Sequence, residues 1–451
     1  MSNFRQVDRK TGFLLPPSVD EWLPERHLAR FVVEVVERLD LSALVKAYRG
    51  SGSASYHPSA LLGLLVYGYA TGVFSSRKIE RATYDSVAFR FIAANDHPDH
   101  DTIAAFRRRF LKEIEALFVQ VLLLAREAGV LQLGTVALDG TKVHANASRH
   151  SALSYEHACK LEAQLKAEVA ALMALAEAAD RADVPDGMSV PEELARREDR
   201  LQRIAEAKAT IEARAKERFA REQAEHEAKL KARADNAGKT GRKPGGRPPQ
   251  PPMAGPVGKD QVNLTDEDSR IMPAGGGFEQ AYNAQAAVAS GNLLVVANNV
   301  VQAANDRQQI KPMLDRLGRL PEALGKPGTL LADSGYFSQA NVTACADAKI
   351  APLIALGRER HHLSWQDRFA AAPPAPEQPT PLQAMVHRLA TPEGRQAYAL
   401  RKQTPEPVFG IIKAVMGFRQ FSLRGLDKVK GEWNLVTLAW NVRRMFALGC
   451  A

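Results

Sequence analysis

The chain of 451 residues is 45% hydrophobic and 25% charged, which is ordinary for a globular protein and leaves room for two or three domains. A net charge of +9 favours a polyanionic partner such as DNA or RNA. No apolar stretch approaches the roughly 18–20 residues of a membrane helix, and the first residues lack the apolar core of a secretion signal. Cys159, Cys345 and Cys450 lie far apart in the chain, which fits a reducing cytoplasm and argues against a zinc site.

Residues 1–130 have the apolar spacing of helices, which we predict near 28–39, 59–71, 76–84, 86–93 and 101–128. Asp101 or Thr102 can cap the last of these, and Arg107, Arg108 and Arg109 spread round it. Several short helices that end with a basic one are typical of a helix-turn-helix module. We therefore interpret this segment as an all-α domain that binds DNA. A helical bundle with a solvated basic face is the alternative.

Two aspartates each stand where an apolar run meets a glycine turn. Asp139 and Gly140 follow the run over 135–138, and Asp333 precedes Gly335 after the run over 329–332. Such runs are typical of buried strands. Open α/β sheets carry out their chemistry at the carboxyl ends of strands. Because Mg²⁺ prefers oxygen ligands and often takes only one or two carboxylates, the pair predicts a divalent-metal site.

Glu406 is the candidate for a third acid, at the start of a predicted helix. Glu393, Asp427 and Glu432 are rival acids nearby. Lys413, seven residues beyond Glu406, would lie on the same face of that helix. We expect the three carboxylates to cluster, and such a set suggests phosphoryl transfer on nucleic acid.

The segment between the two aspartates changes to a composition of Ala, Glu, Lys, Arg and Leu, which favours long helices. We predict helices over about 155–181 and 189–234, joined by a break at 184–187, which form a helical hairpin over 151–234. This hairpin is interpreted as a solvated spacer or dimerisation arm without catalytic residues.

The stretch 235–277 is rich in Gly, Pro and cations, which predicts a flexible basic linker. Arg247 lies between Gly246 and Pro248, a pattern similar to motifs that place an extended arginine in a narrow minor groove. A plain basic linker is the alternative.

Regular structure is predicted to resume after the linker. The patterns indicate a hairpin of strands over 278–288 and 292–297, helices over 306–317 and 339–348, a strand over 352–355, a loosely ordered excursion over 361–390, and helices over 407–416 and 432–446.

Without the insert, the order of elements resembles the catalytic core of a known family. The order resembles that of the bacterial insertion-sequence DDE transposases. It consists of a strand with Asp139, a hairpin, a helix, the strand with Asp333, a helix, a strand and the helix led by Glu406. The blocks at 138–141, 332–336 and 406–413 match those that carry the acids of this family. The N-terminal stretch is similar to the helical domain that precedes its core.

The resemblance covers nearly the whole chain and implies an α/β fold. We expect an RNase H-like mixed sheet flanked by helices, formed by residues 131–150 and 278–451, with an N-terminal all-α domain and a long helical-hairpin insert. It also implies that the protein binds double-stranded DNA, namely the element ends and the target, as a homo-oligomer. The expected location is the bacterial cytoplasm, in association with the nucleoid.

The resemblance further implies metal-dependent DNA cleavage and strand transfer. Asp139, Asp333 and Glu406 would hold two Mg²⁺ or Mn²⁺ ions that stabilise the attacking and leaving oxygens. The alternatives are a DNA-binding relic whose acids are mis-aimed, and a nuclease of the same fold without strand transfer. A purely structural coiled-coil protein is disfavoured, because the helical insert is a minority of the chain.

The family also carries a tyrosine, a basic residue, the glutamate and a lysine at set spacings. Tyr398, Arg401, Glu406 and Lys413 correspond, although Arg401 is one residue further from Glu406 than expected and Lys402 would fit that gap. Phosphate contacts are expected from Lys142, His144, Arg401 and Lys413, together with Arg107, Arg108, Arg109 and Arg247.

Overall fold

The computed structural model describes residues 18–48, 55–178, 189–240, 246–274, 277–357 and 374–450. The chain divides into two compact units: Met1–Asn146 with Ile271–Ala451, and Ala147–Arg270. The predicted break at 184–187 and residues 361–373 of the predicted excursion lie outside the described residues.

The N-terminal segment forms helices, as the sequence predicts. These are α1 (Leu28–Glu37), α2 (Ser42–Lys46), α3 (Pro58–Thr71), α4 (Ser76–Asp85), α5 (Val87–Ile92), α6 (His100–Arg109) and α7 (Leu111–Glu127). The single helix expected over 101–128 is two helices, because the chain bends at the buried Phe110 (φ −108°, ψ 22°). Asp99, and not Asp101 or Thr102, caps α6, since its carboxylate accepts a hydrogen bond from the Thr102 amide at 2.8 Å.

Within the described ranges, no single helix has the length and apolar composition needed to cross a membrane. One pair, α3 with α4, passes that test only as a combination bent by 97°.

The strands, in chain order, are β1 (Thr135–His144), β2 (Ala152–Ser154), β3 (Gln261–Asn263), β4 (Arg270–Ala274), β5 (Gly277–Ala289), β6 (Val295–Val301), β7 (Thr329–Ala332) and β8 (Ala351–Ile354). A six-stranded mixed sheet in the first unit has the path β6-β5-β1-β7-β8, with β4 also paired to β5. Strand β5 runs antiparallel to β1 and β6, whereas β7 and β8 run parallel to β1. This confirms the predicted RNase H-like mixed sheet, and β2 and β3 form a separate pair in the second unit.

The remaining helices are α8 (Tyr155–Ala178), α9 (Val190–Thr240), α10 (Ile310–Gly318), α11 (Gln339–Asp347), α12 (Pro381–Ala390), α13 (Pro392–Ala399), α14 (Pro405–Gly410), continued by a π-helical turn (Ile411–Val415), and α15 (Leu426–Ala447). Helix α12 occupies part of the stretch predicted as a loosely ordered excursion. A capping box explains it, because Thr380 and Gln383 exchange side-chain and backbone hydrogen bonds at its start.

Helix α15 is the centre of the first unit. It is apolar round most of its circumference and packs against β6, α3 and α7, so the N-terminal helices belong to the same compact unit as the sheet. Its buried polar groups have partners: Asn298 donates to Asn434 at 2.7 Å and to Thr437 at 2.9 Å.

The second unit contains the predicted helical hairpin. Salt bridges from Glu168 to Arg197 and from Glu162 to Lys208 show that α8 and α9 run antiparallel. Buried apolar side chains of both helices and of β2 and β3 form its own core, namely Leu153, Ala158, Leu165, Ile204, Ala207, Ile211 and Val262, with Leu161 and Leu201 packed against it.

Within 235–277, the residues that the structure describes differ from the predicted flexible linker. Helix α9 continues to Thr240, and the returning chain carries β3 and β4. Arg233 donates to the Gly246 carbonyl at 2.7 Å, and Arg218 binds Asp260 at 2.7 Å. A Gly/Pro-rich segment keeps its carbonyl acceptors, and the long arginines of α9 bind this chain through them. Composition alone did not reveal those partners.

Candidate active site

Asp139 and Asp333 lie at matching positions on two neighbouring strands. Strands β1 and β7 pair in parallel, with Ala137 opposite Leu331. Each aspartate follows two residues later, and alternation along a strand places residues i and i+2 on one face. Ala137 and Leu331 pack together in a buried cluster with Leu353. The sheet therefore brings the two carboxylates near each other. Asp333 follows the carboxyl end of β7 as predicted, but the turn predicted after Asp139 is wrong, because β1 continues to His144 and Asp139 lies in its middle.

The Asp139 carboxyl is poorly suited to carry a negative charge without a cation nearby. Burial raises its pKa to about 7. The Gly140 amide donates a hydrogen bond to the carboxylate at 2.8 Å, which lowers the pKa but does not outweigh burial. The negative charges of Asp333 and Asp306 also raise this pKa, and Arg401 lowers it. A bound cation would relieve both the desolvation and the repulsion.

Asp306, between β6 and α10, is an acid of this site that sequence reasoning missed. Its Oδ1 accepts hydrogen bonds from the side-chain amides of Asn283 at 2.7 Å and Gln285 at 2.6 Å. Both amides are fully buried on β5. A signal was present in the sequence: two polar residues at alternate positions of an apolar strand require buried partners.

Tyr336 links this network to the turn that carries Asp333. Its hydroxyl donates to the Gln285 side-chain oxygen at 2.5 Å. Burial raises the pKa of Tyr336 well above its usual value, and the charges of Asp306, Asp139 and Asp333 act in the same direction. The side chain is therefore a neutral donor that fixes Gln285, which in turn donates to Asp306.

Gly140 lets this polar network approach the backbone of β1. A Cβ atom at this position would lie 2.2 Å from Gln285 Nε2, 2.7 Å from Asp306 Oδ1 and 2.8 Å from Asn283 Oδ1. These distances exclude any side chain unless the network moves. The glycine after Asp139 is thus required by close approach and not by a turn.

Glu406 lies in the first turn of α14, which packs against β1. Pro405 and Pro407 also occupy this first turn, where backbone N–H groups have no partner within the helix, so the prolines suit its start. The Glu406 side chain is 55% exposed, and its carboxylate lies 3.7 Å from the Arg401 guanidinium. Because Arg401 also lowers the pKa of Asp139, it lies near both acids.

The expected cluster of three carboxylates is not formed. Across the part of the chain that the structure describes, no three acidic, histidine or cysteine side chains converge on one metal position. The Asp139 and Asp333 pair nevertheless fits a divalent cation, because Mg²⁺ is commonly held by one or two carboxylates and water. Glu406 points toward Arg401 instead.

The rival acids have other surroundings. Glu432 is fully buried; it accepts hydrogen bonds from the Tyr69 hydroxyl at 2.9 Å and from the Ser422 amide at 2.9 Å. Glu393 and Asp427 are exposed in the first turns of α13 and α15, where the positive end of the helix dipole stabilises their negative charge.

Lys142 is a basic residue of β1 that interacts with the acids of the site. Burial lowers its pKa, while Asp306 and Asp139 raise it. The Lys413 ammonium donates to the Lys142 carbonyl at 2.7 Å and to Thr141 at 2.6 Å, so it ties the π-helical turn to β1. His144, further along β1, lies 2.9 Å from the Glu279 carboxylate.

Arg107 is not on an exposed basic face, so the expectation that three arginines spread round α6 is wrong for it. Its side chain donates to the Tyr69 hydroxyl at 3.0 Å and to the Phe74 carbonyl at 2.9 Å, and the residue is 7% exposed. Its hydrogen bonds to α3 and to the loop after α3 hold it inside, because residue 107 faces the helices that pack on α6.

The three remaining arginines predicted outside the acid site, Arg108, Arg109 and Arg247, are exposed. Arg108 projects into solvent from α6. Arg109 is exposed too, but its guanidinium lies over the rings of Tyr48 and Phe110, at 5.3 Å and 5.0 Å from their centroids. Arg247 is exposed in the second unit.

Two family models match the chain. "Transposase domain (DUF772)" matches residues 17–109, and "Transposase DDE domain" matches residues 249–442. The second match includes Asp333 and Glu406, whereas Asp139 lies between the matched segments and joins Asp333 through strand pairing. Searches of curated proteins and of solved structures gave no match.

Proposed function

Because the chain belongs to the bacterial insertion-sequence DDE transposases, we propose that it cuts DNA at the ends of its own element and joins those ends to target DNA. One observation carries the proposal: the parallel pairing of β1 and β7 sets Asp139 beside Asp333. The net charge of +9 supports double-stranded DNA as the partner. A homo-oligomer on DNA, in the nucleoid of the bacterial cytoplasm, is part of the proposal.

Asp139 and Asp333 would hold a Mg²⁺ or Mn²⁺ ion. When bound, such ions stabilise the charge on the attacking and leaving oxygens of a phosphodiester. Asp306 holds the amides of Asn283 and Gln285 in place behind Asp139. Glu406 would complete a second ion's ligands, for which its carboxylate must leave Arg401.

The basic residues would position DNA round these acids. Lys142 is near Asp139, and its ammonium group would bind the phosphate next to the reacting bond as a point charge. Arg401 can bind phosphate with its planar fork once Glu406 is withdrawn. His144 and Lys413 flank the same stretch of β1, where Lys413 acts mainly by fixing the strand.

One observation favours a second candidate, a DNA-binding relic without activity. The Glu406–Arg401 ion pair keeps the third acid away from Asp139 and Asp333. In such a relic the DNA contacts persist while no phosphodiester bond is cut.

Incubation of the full chain with a duplex that carries the element's end, with Mg²⁺, Mn²⁺ or EDTA, tests the proposal. Metal-dependent nicking at the element end supports a transposase or a nuclease. Joining of a pre-cut end to a plasmid supports the transposase alone. Binding without nicking in either metal would favour the relic. Asp315→Asn, an exposed acid on α10, is the control variant.

A further inference from the structure

A cavity in the first unit lies apart from the three aspartates. Its volume is about 490 Å³, and it opens between α4, α6 and the chain at 420–422. Polar side chains on its wall include Ser76, Arg77, His100, Arg107 and Asn146. Asp139, Asp333 and Asp306 do not line it.

The first feature of the cavity is the N-terminus of α4. This ten-residue helix begins at Ser76, and the side chain of its N-cap residue, Ser75, makes no capping hydrogen bond. The first N–H groups of a helix have no partner within it, and they carry the positive end of its dipole. Such an end favours an anion.

The second, independent feature is a pair of buried polar atoms on the same wall. Ser76 is 8% exposed and Arg107 is 7% exposed. Among the described residues, neither Ser76 Oγ nor Arg107 Nε has a hydrogen-bond partner. Buried polar atoms in folded proteins are normally paired, so both indicate a ligand that accepts hydrogen bonds.

The charge of the wall also favours an anion. Arg77 and Arg107 are donors only. The nearest acid on α4, Glu80, is engaged with His100, whose Nδ1 lies 2.8 Å from its carboxylate. Buried Glu432 accepts the Ser422 amide and the Tyr69 hydroxyl. A ligand with several oxygen acceptors and a negative charge matches these groups.

We propose that this cavity binds a phosphate group of the DNA backbone, at a distance from the bond that is cut. The inference rests on the proposed function, because it takes DNA as the source of the phosphate. Asn146, on the cavity wall, is seven residues beyond Asp139 along β1 and its continuation. At about 3.3 Å per residue this spans at most about 23 Å, or about six or seven base-pair steps. The cavity therefore anchors a flank of the substrate.

Salt titrations of binding to the end-bearing duplex test the cavity. Arg77→Gln should weaken binding and lower the slope of log affinity against log salt by about 0.9, the value for one lost phosphate contact. Ser76→Ala removes no charge and should lower affinity about threefold or more without a change of slope. Lys78→Gln is the matched control, because Lys78 is the adjacent exposed cation and does not line the cavity.

The proposal is overturned if Arg77→Gln and Lys78→Gln weaken binding equally while Ser76→Ala binds like the wild type. Thermal unfolding of the variants serves as the folding check. Nicking at saturating DNA should persist in all three, so loss of the flank contact is separable from loss of the active site.

A second arm uses inorganic phosphate at constant ionic strength to identify the source of the phosphate. If it raises the Tm of the wild type but not of Ser76→Ala, while both bind DNA alike, the site holds a free anion and not DNA. If the wild type neither binds nor nicks the duplex, the proposed function fails, and the phosphate-dependent change in Tm alone decides whether the cavity is an anion site. If phosphate then leaves the Tm unchanged, the anion site is overturned as well.

Discussion

Asp139 and Asp333 occupy equivalent positions on adjacent parallel strands, although the whole helical insert separates them in sequence. The pairs Val136–Leu330 and Ala137–Leu331 fix this register. A shift of one residue would turn one carboxylate to the opposite face of the sheet. The two acids therefore form one electrostatic site, in which the negative charge of Asp333 raises the pKa of Asp139.

Asp139→Asn should abolish metal-dependent nicking and leave DNA binding nearly intact. The substitution removes a metal ligand but also a negative charge, so it cannot weaken phosphate contacts. We expect a loss of activity of at least about 1,000-fold, measured with the end-bearing duplex in Mg²⁺. Asp333→Asn should behave alike, whereas Asp315→Asn should cut normally; nicking by Asp139→Asn at the wild-type rate would remove this residue from the site.

The stability of the metal-free protein should fall as pH rises from about 4 to about 7. The pKa of Asp139 is raised to about 7 in the fold from its usual value of 3.8, so the folded chain binds more protons than the unfolded chain between these values. Asp139→Asn lacks this term and should exceed the wild-type Tm in EDTA at pH 8 by about 2 °C or more, with a smaller difference at pH 5.

The same shift predicts that metal affinity rises with pH. A proton and a cation compete for the Asp139 carboxylate, so affinity should increase up to about pH 7 and then level off. Calorimetric titration with Mg²⁺ or Mn²⁺ at several pH values measures this directly. Affinity that is flat between pH 5 and pH 8 would contradict a role for Asp139 as ligand.

Gly140→Ala should disable the site although the change adds a single methyl group. The new Cβ would overlap Gln285 Nε2 and crowd Asp306 Oδ1, so the polar network must shift. We expect destabilisation of about 1–3 kcal/mol and nicking slower by about 100-fold. Gly134→Ala is the matched control, because a Cβ at that glycine, directly before β1, meets nothing within 4 Å. Equal behaviour of the two variants would contradict the close approach.

Much of this arrangement could be predicted from short-range pattern. The apolar runs before Asp139 and Asp333 and the hairpin after Phe278 are local signals. Strands β5 and β7 lie where these signals indicated, whereas β1 continues beyond the predicted turn to His144. The position of Glu406 at a helix start is local as well. Its ion pair with Arg401 is not, because it depends on how α14 packs against β1.

The parts that were missed depend on contacts between distant segments. Asp306 belongs to the site through amides on another strand, and nothing beside it in sequence indicates chemistry. An arginine such as Arg107 is expected on the surface from its charge, yet it is buried because Tyr69 on α3 accepts a hydrogen bond from it. Periodicity reports which face of a helix is apolar, but not which polar group on that face finds a buried partner.

Asp306→Ala should destabilise the fold and impair nicking, and Asp306→Asn should restore most of the stability. Alanine removes one of the two acceptors of each buried amide, Asn283 and Gln285, at a cost of about 1–3 kcal/mol in total, whereas asparagine keeps one acceptor oxygen. Denaturant unfolding measures this, with the exposed neighbour Asn305→Ala as control.

Asp306→Asn also removes a charge that raises the pKa of Asp139. The pH at which metal affinity levels off should therefore move down in this variant. A profile unchanged from the wild type would restrict Asp306 to a purely structural role.

Glu406→Gln should stop nicking but leave binding of the ion at Asp139 and Asp333 in place, because Glu406 lies outside that pair. Arg401→Gln should release Glu406 from its ion pair and remove a charge that lowers the pKa of Asp139. Metal affinity near neutral pH should then depend more steeply on pH than in the wild type. Glu393→Gln, an exposed acid on α13, is the control. Should Glu406→Gln nick at the wild-type rate, the third acid is not Glu406, and Asp306, whose charge raises the pKa of Asp139, is the next acid to test.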